Sequence, residues 1–210
     1  MNIVVIGTLA QLLGCQQKFE GVHSWKRLDS RSELESPGDV IIDFGMHTTG
    51  LSIYHQWPEA VVFLEALQGS VASRLTHRLA YGFCGWPTFL ERALFEVGVP
   101  EASDGDKLRH VCAALGTEFQ PVADQTGLVT PRVVSLIINE AYFAWESHTA
   151  TRADIDLAMK LGTNYPYGPF EWAARIGTAH VANLLSTLLA ETGHERYRAS
   201  AALQAEALAG

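Results

Sequence analysis

The stretch 152-RADIDLAMKLGTNYPYGPFEWAARIG-177 is the densest run of positional signals in the chain. Thr151, just before it, is a good N-cap, and Asp154 stands where a capping box puts its carboxylate. Ile155, Ala158, Met159 and Gly162 trace a short amphipathic helix that the glycine ends. In the loop that follows, Pro166, Gly168 and Pro169 leave few soft dihedrals. Pro169 suits the first turn of a second helix, FEWAARI, which Gly177 closes. The stretch predicts helix, rigid loop, helix.

The flanking residues extend that reading. Val133 to Ser147 is apolar on most faces, the mark of a buried or interface helix. Ala179 to Glu191 carries Val181, Leu184, Leu185, Leu188 and Leu189 in one stripe, stopped by Gly193, and the alanine-rich tail from Tyr197 to Ala209 is helical. Before about residue 125 the pattern changes. Short apolar runs at Asn2–Gly7, Val22–Leu28, Asp39–Phe44, Ala60–Leu64 and Glu118–Val122 read as strands, the densest of them buried on both faces. Helices are expected from Val71 to His77 and from Asp104 to Leu115, and the polar run 29-DSRSELESPGD-39 reads as a surface loop.

The chain has 210 residues, enough to bury a real core, and close to half of them are apolar. A formal net charge of −8 with no basic run argues against nucleic acid as a partner. Cys15, Cys84 and Cys112 form an odd set without CxxC spacing, which fits a reducing, cytoplasmic setting and gives no metal site. No stretch reaches membrane-spanning length, and the apolar run Ile3–Ile6 lacks the features of a signal peptide.

Residues 139–171 resemble the C-terminal domain of the 3-hydroxyacyl-CoA dehydrogenase family. The match rests on Asn139-Glu140-Ala141, Asp154-Ile155-Asp156, Ala158-Met159-Lys160-Leu161-Gly162, Pro166 and Gly168-Pro169-Phe170-Glu171, in order and at the family's spacings. The resemblance implies α/β plus all-α architecture: a shortened, reduced Rossmann-like parallel sheet domain over residues 1–124, then a helical dimerisation and substrate domain over 125–210. It also implies NAD as cofactor, a homodimer built through the C-terminal helices, an acyl-CoA ligand and a place in fatty acid metabolism.

At the positions that carry chemistry the chain departs from the family. A dinucleotide-binding turn needs GxGxxG, and here residues 7–12 read GTLAQL. Only Gly7 remains. Leu9 stands where the backbone must approach the pyrophosphate and Leu12 where the helix must pass close to the strand, so the usual seat for NAD is obstructed. Asp29 lies where an acidic side chain would hold a ribose hydroxyl, although a solvated aspartate in a polar loop reads as well. The stretch RLAYGFCGWPTFLERALFEV resembles the family segment in which a strand ends at the catalytic histidine. Aligned on Pro87, that histidine is replaced by Phe83; aligned on Glu96, by Cys84. Glu96, whose family role is to orient the histidine, is left to cap or salt-bridge a surface helix. The family's substrate-contacting asparagine falls at Pro131, which has no polar side chain. Asn139 and Glu140 are open to a substrate role or, for Asn139, to satisfying a neighbouring helix end.

Two functions compete. In one, a dimeric protein kept the fold and its helices, lost or greatly reduced hydride transfer, and serves in acyl-CoA binding or assembly. In the other, an active NAD(P)-dependent oxidoreductase acts on a 3-hydroxyacyl-CoA or related β-hydroxy acid through a substitute base, with His77 or His110 as candidates and His47 and His55 facing the cofactor crevice. The intact scaffold positions and altered chemical ones favour the first. A regulatory module for another nucleotide has only the retained strands in its favour.

Overall fold

The computed structural model describes residues 1–45 and 49–209. The chain divides into two compact units, one made of Met1–Gly85 with Phe89–Leu128, the other of Trp86–Thr88 with Val129–Gly210.

The first unit is built on one seven-stranded sheet. Its strands are β1 (Asn2–Ile6), β2 (Ser24–Leu28), β3 (Val40–Asp43), β4 (Val61–Glu65), β5 (Ala80–Phe83), β6 (Phe95–Val99) and β7 (Phe119–Ala123), in the order β2-β1-β3-β4-β5-β6-β7. Every neighbouring pair is parallel except β5 and β6, which meet antiparallel at Gly82 and Gly98. Both contact residues are glycine for a reason: a Cβ on Gly82 would press on Ala66, and one on Gly98 on Leu128.

Successive residues of a strand point to opposite faces, so runs such as Ile3-Val-Val-Ile6 feed two cores at once. Ile3, Val5, Val40, Ile42, Val61, Phe63, Tyr81 and Phe83 pack on one face, under α1 (Leu9–Lys18) and α3 (Gly105–Ala114). Val4, Ile6, Ile41, Val62, Leu64 and Ala80 pack on the other. That second face is covered by a 3-10 helix at Leu51–Gln56, the single turn α2 (Val71–Arg74) and Leu128. On this side the covering elements are short turns. The helix expected over 71–77 stops at Arg74 because the chain turns extended at Leu75 (φ −144°, ψ 119°). Glu96 is a strand residue. It lies on β6 opposite Gln120, because the buried Phe95 and Val97 on either side impose strand alternation.

The second unit is all helix: α4 (Thr130–Glu146), α5 (Arg152–Thr163), α6 (Pro169–Ile176), α7 (Thr178–Thr192) and α8 (Ala201–Ala209). Two details of the opening stretch differ from the reading above. The helix α5 runs through Gly162 and ends at Asn164, which takes the left-handed conformation (φ 55°, ψ 34°) and so does the work assigned to the glycine. Its buried residue is Asp156, while Leu157 and Leu161 are 54% and 78% exposed. The buried carboxylate explains the motif. Asp156 accepts hydrogen bonds from the backbone N–H groups of Phe170 (2.8 Å) and Glu171 (3.2 Å), capping α6 from a different helix. The residue at the α6 N-cap must then be glycine, because a Cβ on Gly168 would overlap the Asp156 carboxyl. Glu171 reaches back to the Gly168 N–H (3.0 Å) and takes the Lys160 ammonium on its other oxygen (2.5 Å). The Asp, Lys, Gly-Pro and Glu of the signature are one capping assembly.

Candidate functional site

In open α/β sheets, ligands bind outside the carboxyl ends of the strands, and the candidate site is this rim of the first unit. At the end of β1, Thr8 is the N-cap of α1. Its hydroxyl accepts from the Gln11 N–H (3.3 Å), and the Gln11 side-chain oxygen accepts from the Thr8 N–H (2.8 Å). This closed capping box occupies donors that a dinucleotide site would turn toward phosphate. A Cβ on Gly7 would overlap the Gln11 side-chain oxygen, so the one retained glycine makes room for the cap. Leu9 is 61% exposed on the first turn, and Leu12 packs against the core.

Next to it, Asp29 is exposed and ion-paired with Arg27, which also donates to the Gly7 carbonyl (3.1 Å). The arginine hydrogen bond and charge hold the Asp29 carboxyl below its ordinary range. The polar loop after β2 is not wholly solvated, because Arg31 folds inward from it. Its guanidinium donates to Asp43 (2.6 Å), to the Gly45 carbonyl (2.6 Å) and to the Thr49 carbonyl (2.7 Å). Asp43, fully buried at the end of β3, also accepts from the Tyr54 hydroxyl (2.7 Å) and the Gly45 N–H (2.8 Å). Burial first, and then the Asp43 charge, push the Tyr54 phenol far above its usual range. A buried Arg–Asp–Tyr network thus stands at the end of β3.

Further along the rim, Phe83 is fully buried, edge-on to Phe44 with centroids 5.1 Å apart. Cys84 and Glu96, the two positions linked by one alignment, line the same small cavity of about 10 Å³ with Phe89, Arg92, Leu94 and Phe95. The titratable group beside Phe83 is one the sequence reading passed over. Glu65 ends β4 opposite Phe83, is 5% exposed, and burial raises its carboxyl to about 7. The signal was in the sequence: an acidic residue closing the apolar run VVFL. Arg74 donates to the Glu65 carbonyl (2.9 Å), and the Asp124 carboxylate caps α2 through the N–H groups of Val71 and Ala72 (both 2.8 Å).

His77, His110 and His55 each lie against main-chain groups. His77 precedes β5 and so stands at its amino end, with Nδ1 accepting from the Leu79 N–H (3.1 Å) and Nε2 at 3.3 Å from the Trp57 carbonyl. Its pKa is lowered, chiefly by burial. His110 is exposed on α3 against the Asp106 carbonyl (2.8 Å), and His55 lies against the Thr76 carbonyl (3.1 Å). His47 falls outside the described residues.

In the helical unit, Pro131 sits in the first turn of α4, a position that needs no N–H, and is buried. Asn139 is 3% exposed and clamps the start of α8, donating to the Arg198 carbonyl (2.9 Å) and accepting from the Ser200 N–H (2.9 Å). Of its two readings, the structural one holds. Glu140 is exposed. Trp86 is 2% exposed with its ring 6.3 Å from that of His180.

Residues 127–210 match the family model described as 3-hydroxyacyl-CoA dehydrogenase, C-terminal domain. The chain is 45% identical over 93 residues to the 3-hydroxyadipyl-CoA dehydrogenase of Escherichia coli, a match covering 44% of this chain and 20% of the relative. A 3-hydroxybutyryl-CoA dehydrogenase of Clostridioides difficile is 36% identical over 78 residues, or 37% of this chain and 28% of that protein. The matched part thus spans under a third of either relative. The fold extends further than the sequence match. The crystal structure of (S)-3-hydroxybutyryl-CoA dehydrogenase PaaH1 from Ralstonia eutropha superposes with a TM-score of 0.78 at 19% identity, covering 100% of this chain and 94% of that one.

Proposed function

The helical half of this chain belongs to the 3-hydroxyacyl-CoA dehydrogenase family, and from that premise we propose a dehydrogenase-like protein whose hydride transfer has been lost or greatly reduced. It is kept as a dimeric acyl-CoA-binding or assembly protein of the cytoplasm. The observation that carries this reading is the capping box at the start of α1. The place for a pyrophosphate is taken by the chain's own Thr8 and Gln11 side chains, and Leu9 projects from the same turn. These residues do not fit NAD in the family's usual seat. The base is missing as well. Phe83 has no titratable group, and removing a general base costs a reaction about 10²- to 10⁴-fold. Dimerisation is supported by the apolar side chains left exposed on α4 and α5, among them Val133, Phe143, Leu157 and Leu161. The cytoplasmic setting is supported by the buried thiols of Cys15, Cys84 and Cys112.

One observation favours the alternative, an active NAD(P)-dependent oxidoreductase. Glu65, raised to about 7 at the rim beside Phe83, has the pKa of a working base. Calorimetric titration of ligand-free protein with NAD, NADH and a short acyl-CoA separates the two. The proposed reading expects silence from both nicotinamides and binding of the acyl-CoA. Micromolar binding of NAD or NADH would overturn it and make Glu65 the residue to test next.

A further inference from the structure

At the crest of β4 two buried groups use only part of their hydrogen-bonding capacity. The Glu65 carboxyl faces the backbone of Gly85, just past the end of β5, where a Cβ would lie 3.2 Å from its oxygen. The Arg74 guanidinium reaches the same residue from α2 and donates Nη1 to the Glu65 main-chain oxygen (2.9 Å). Its Nε and Nη2 are buried and have no hydrogen-bond partner among the described residues. That pair of N–H groups is the planar edge that engages a carboxylate through two parallel bonds. An orphaned guanidinium edge inside a protein is costly, and so is a buried carboxylate without a cation. Each group is the remedy for the other.

We propose that this crest is a proton-operated switch in which the Glu65 carboxyl alternates between the Gly85 N–H and the open Nε–Nη2 edge of Arg74. In the protonated state the neutral carboxyl stays on Gly85 and Arg74 keeps its edge unpaired. When the proton leaves to solvent, the carboxylate turns to Arg74, forms the two-bond pair and releases the Gly85 N–H. The other charged groups around it set the balance. Asp43 from the end of β3 opposes ionisation of Glu65, while Arg74 favours it. Arg74 in turn feels Arg31, Asp43 and Asp124. Burial keeps the proton on Glu65 up to about 7, so the switch operates around neutrality. Its output is the backbone at Gly85, directly after Phe83 and Cys84. Side-chain space there is tight, since a Cβ on Gly85 would strike the Phe44 ring. Glu65, Arg74, Gly85 and the charges around them all belong to the sheet unit.

The test is an NMR titration of the whole chain from about pH 5 to 9, following the Glu65 side-chain carboxyl carbon, the Gly85 amide and the Arg74 Nε–H. All three should move together with one midpoint near neutrality, and the Arg74 Nε–H should shift downfield as the pair forms. Glu65→Gln should abolish the Gly85 and Arg74 transitions. Arg74→Lys, which has no planar edge, should leave Glu65 titrating at a higher pH. The proposal is overturned if Glu65 titrates in the ordinary carboxylate range, or if the Gly85 and Arg74 signals stay flat while Glu65 titrates. Should Glu65→Gln fail to fold, coincidence of the three midpoints in the unaltered protein decides alone.

Discussion

Replacing Asp156 by alanine removes the cap of α6 without touching α6 itself. The carboxylate makes two hydrogen bonds, 2.8 Å and 3.2 Å long, to the N–H groups of Phe170 and Glu171, and it is 9% exposed. Hydrogen bonds to a charged group contribute about 1.5–3 kcal/mol each, and loss of an N-cap costs about 0.5–2 kcal/mol. These overlap, since both describe the same two bonds, so the expected destabilisation is about 3 kcal/mol. Gly168→Ala attacks the same assembly from the other side, because the new methyl must displace the Asp156 carboxyl. That variant should lose about 2–3 kcal/mol in the natural background but less than about 1 kcal/mol when Asp156 is already alanine. Urea unfolding of the four proteins of this cycle, followed by far-UV circular dichroism and by hydrogen exchange at Phe170 and Glu171, measures the coupling. Exchange is needed because the chain has two units and one global transition need not describe both. Equal penalties for Gly168→Ala in the two backgrounds would refute the capping account, as would a loss under about 0.5 kcal/mol for Asp156→Ala.

The Arg31–Asp43–Tyr54 network should behave as a buried ion pair: Asp43→Ala strands Arg31 and Tyr54 and is expected to cost about 3–5 kcal/mol, against about 1 kcal/mol for Tyr54→Phe, in thermal melts. Glu65 should tie stability to pH. Its folded pKa of about 7 lies above the ordinary value of 4.5, so its contribution is full below 4.5 and is lost as pH rises toward 7, by about 3 kcal/mol in all. Glu65→Gln should flatten that part of the profile, and an unchanged slope between pH 5 and 7 would contradict the assignment. Restoring chemistry alone should fail: Phe83→His with Pro131→Asn is expected to show no 3-hydroxyacyl-CoA oxidation, whereas adding Leu9→Gly and Gln11→Ala should let NAD bind, as read by calorimetry. Activity from the first pair alone would show that the start of α1 is not the obstacle.

The sequence by itself determined the architecture. Apolar runs such as Ile3–Ile6 and Asp39–Phe44 can only be strands buried on both faces, and the signature from Asp154 to Glu171 fixes a helix, a rigid loop and a second helix. Both readings depend on neighbours along the chain, and local periodicity reports those faithfully. Gly162 misled for the same reason: glycine commonly ends helices, but Asn164 took the left-handed turn instead. Residues whose partners are distant in sequence were decided only by the tertiary structure. Asp156 caps a helix that begins 13 residues later, Arg31 crosses from a polar loop to Asp43, and Asn139 holds Ser200. The strand position of Glu96 opposite Gln120 likewise depends on β6 and β7 pairing. The acidic residue closing VVFL could be seen in the sequence, but its protonation could not. A carboxyl's pKa depends on what excludes water from it, and Phe44, Gly85 and Arg74 come together around β4 only when the sheet has formed.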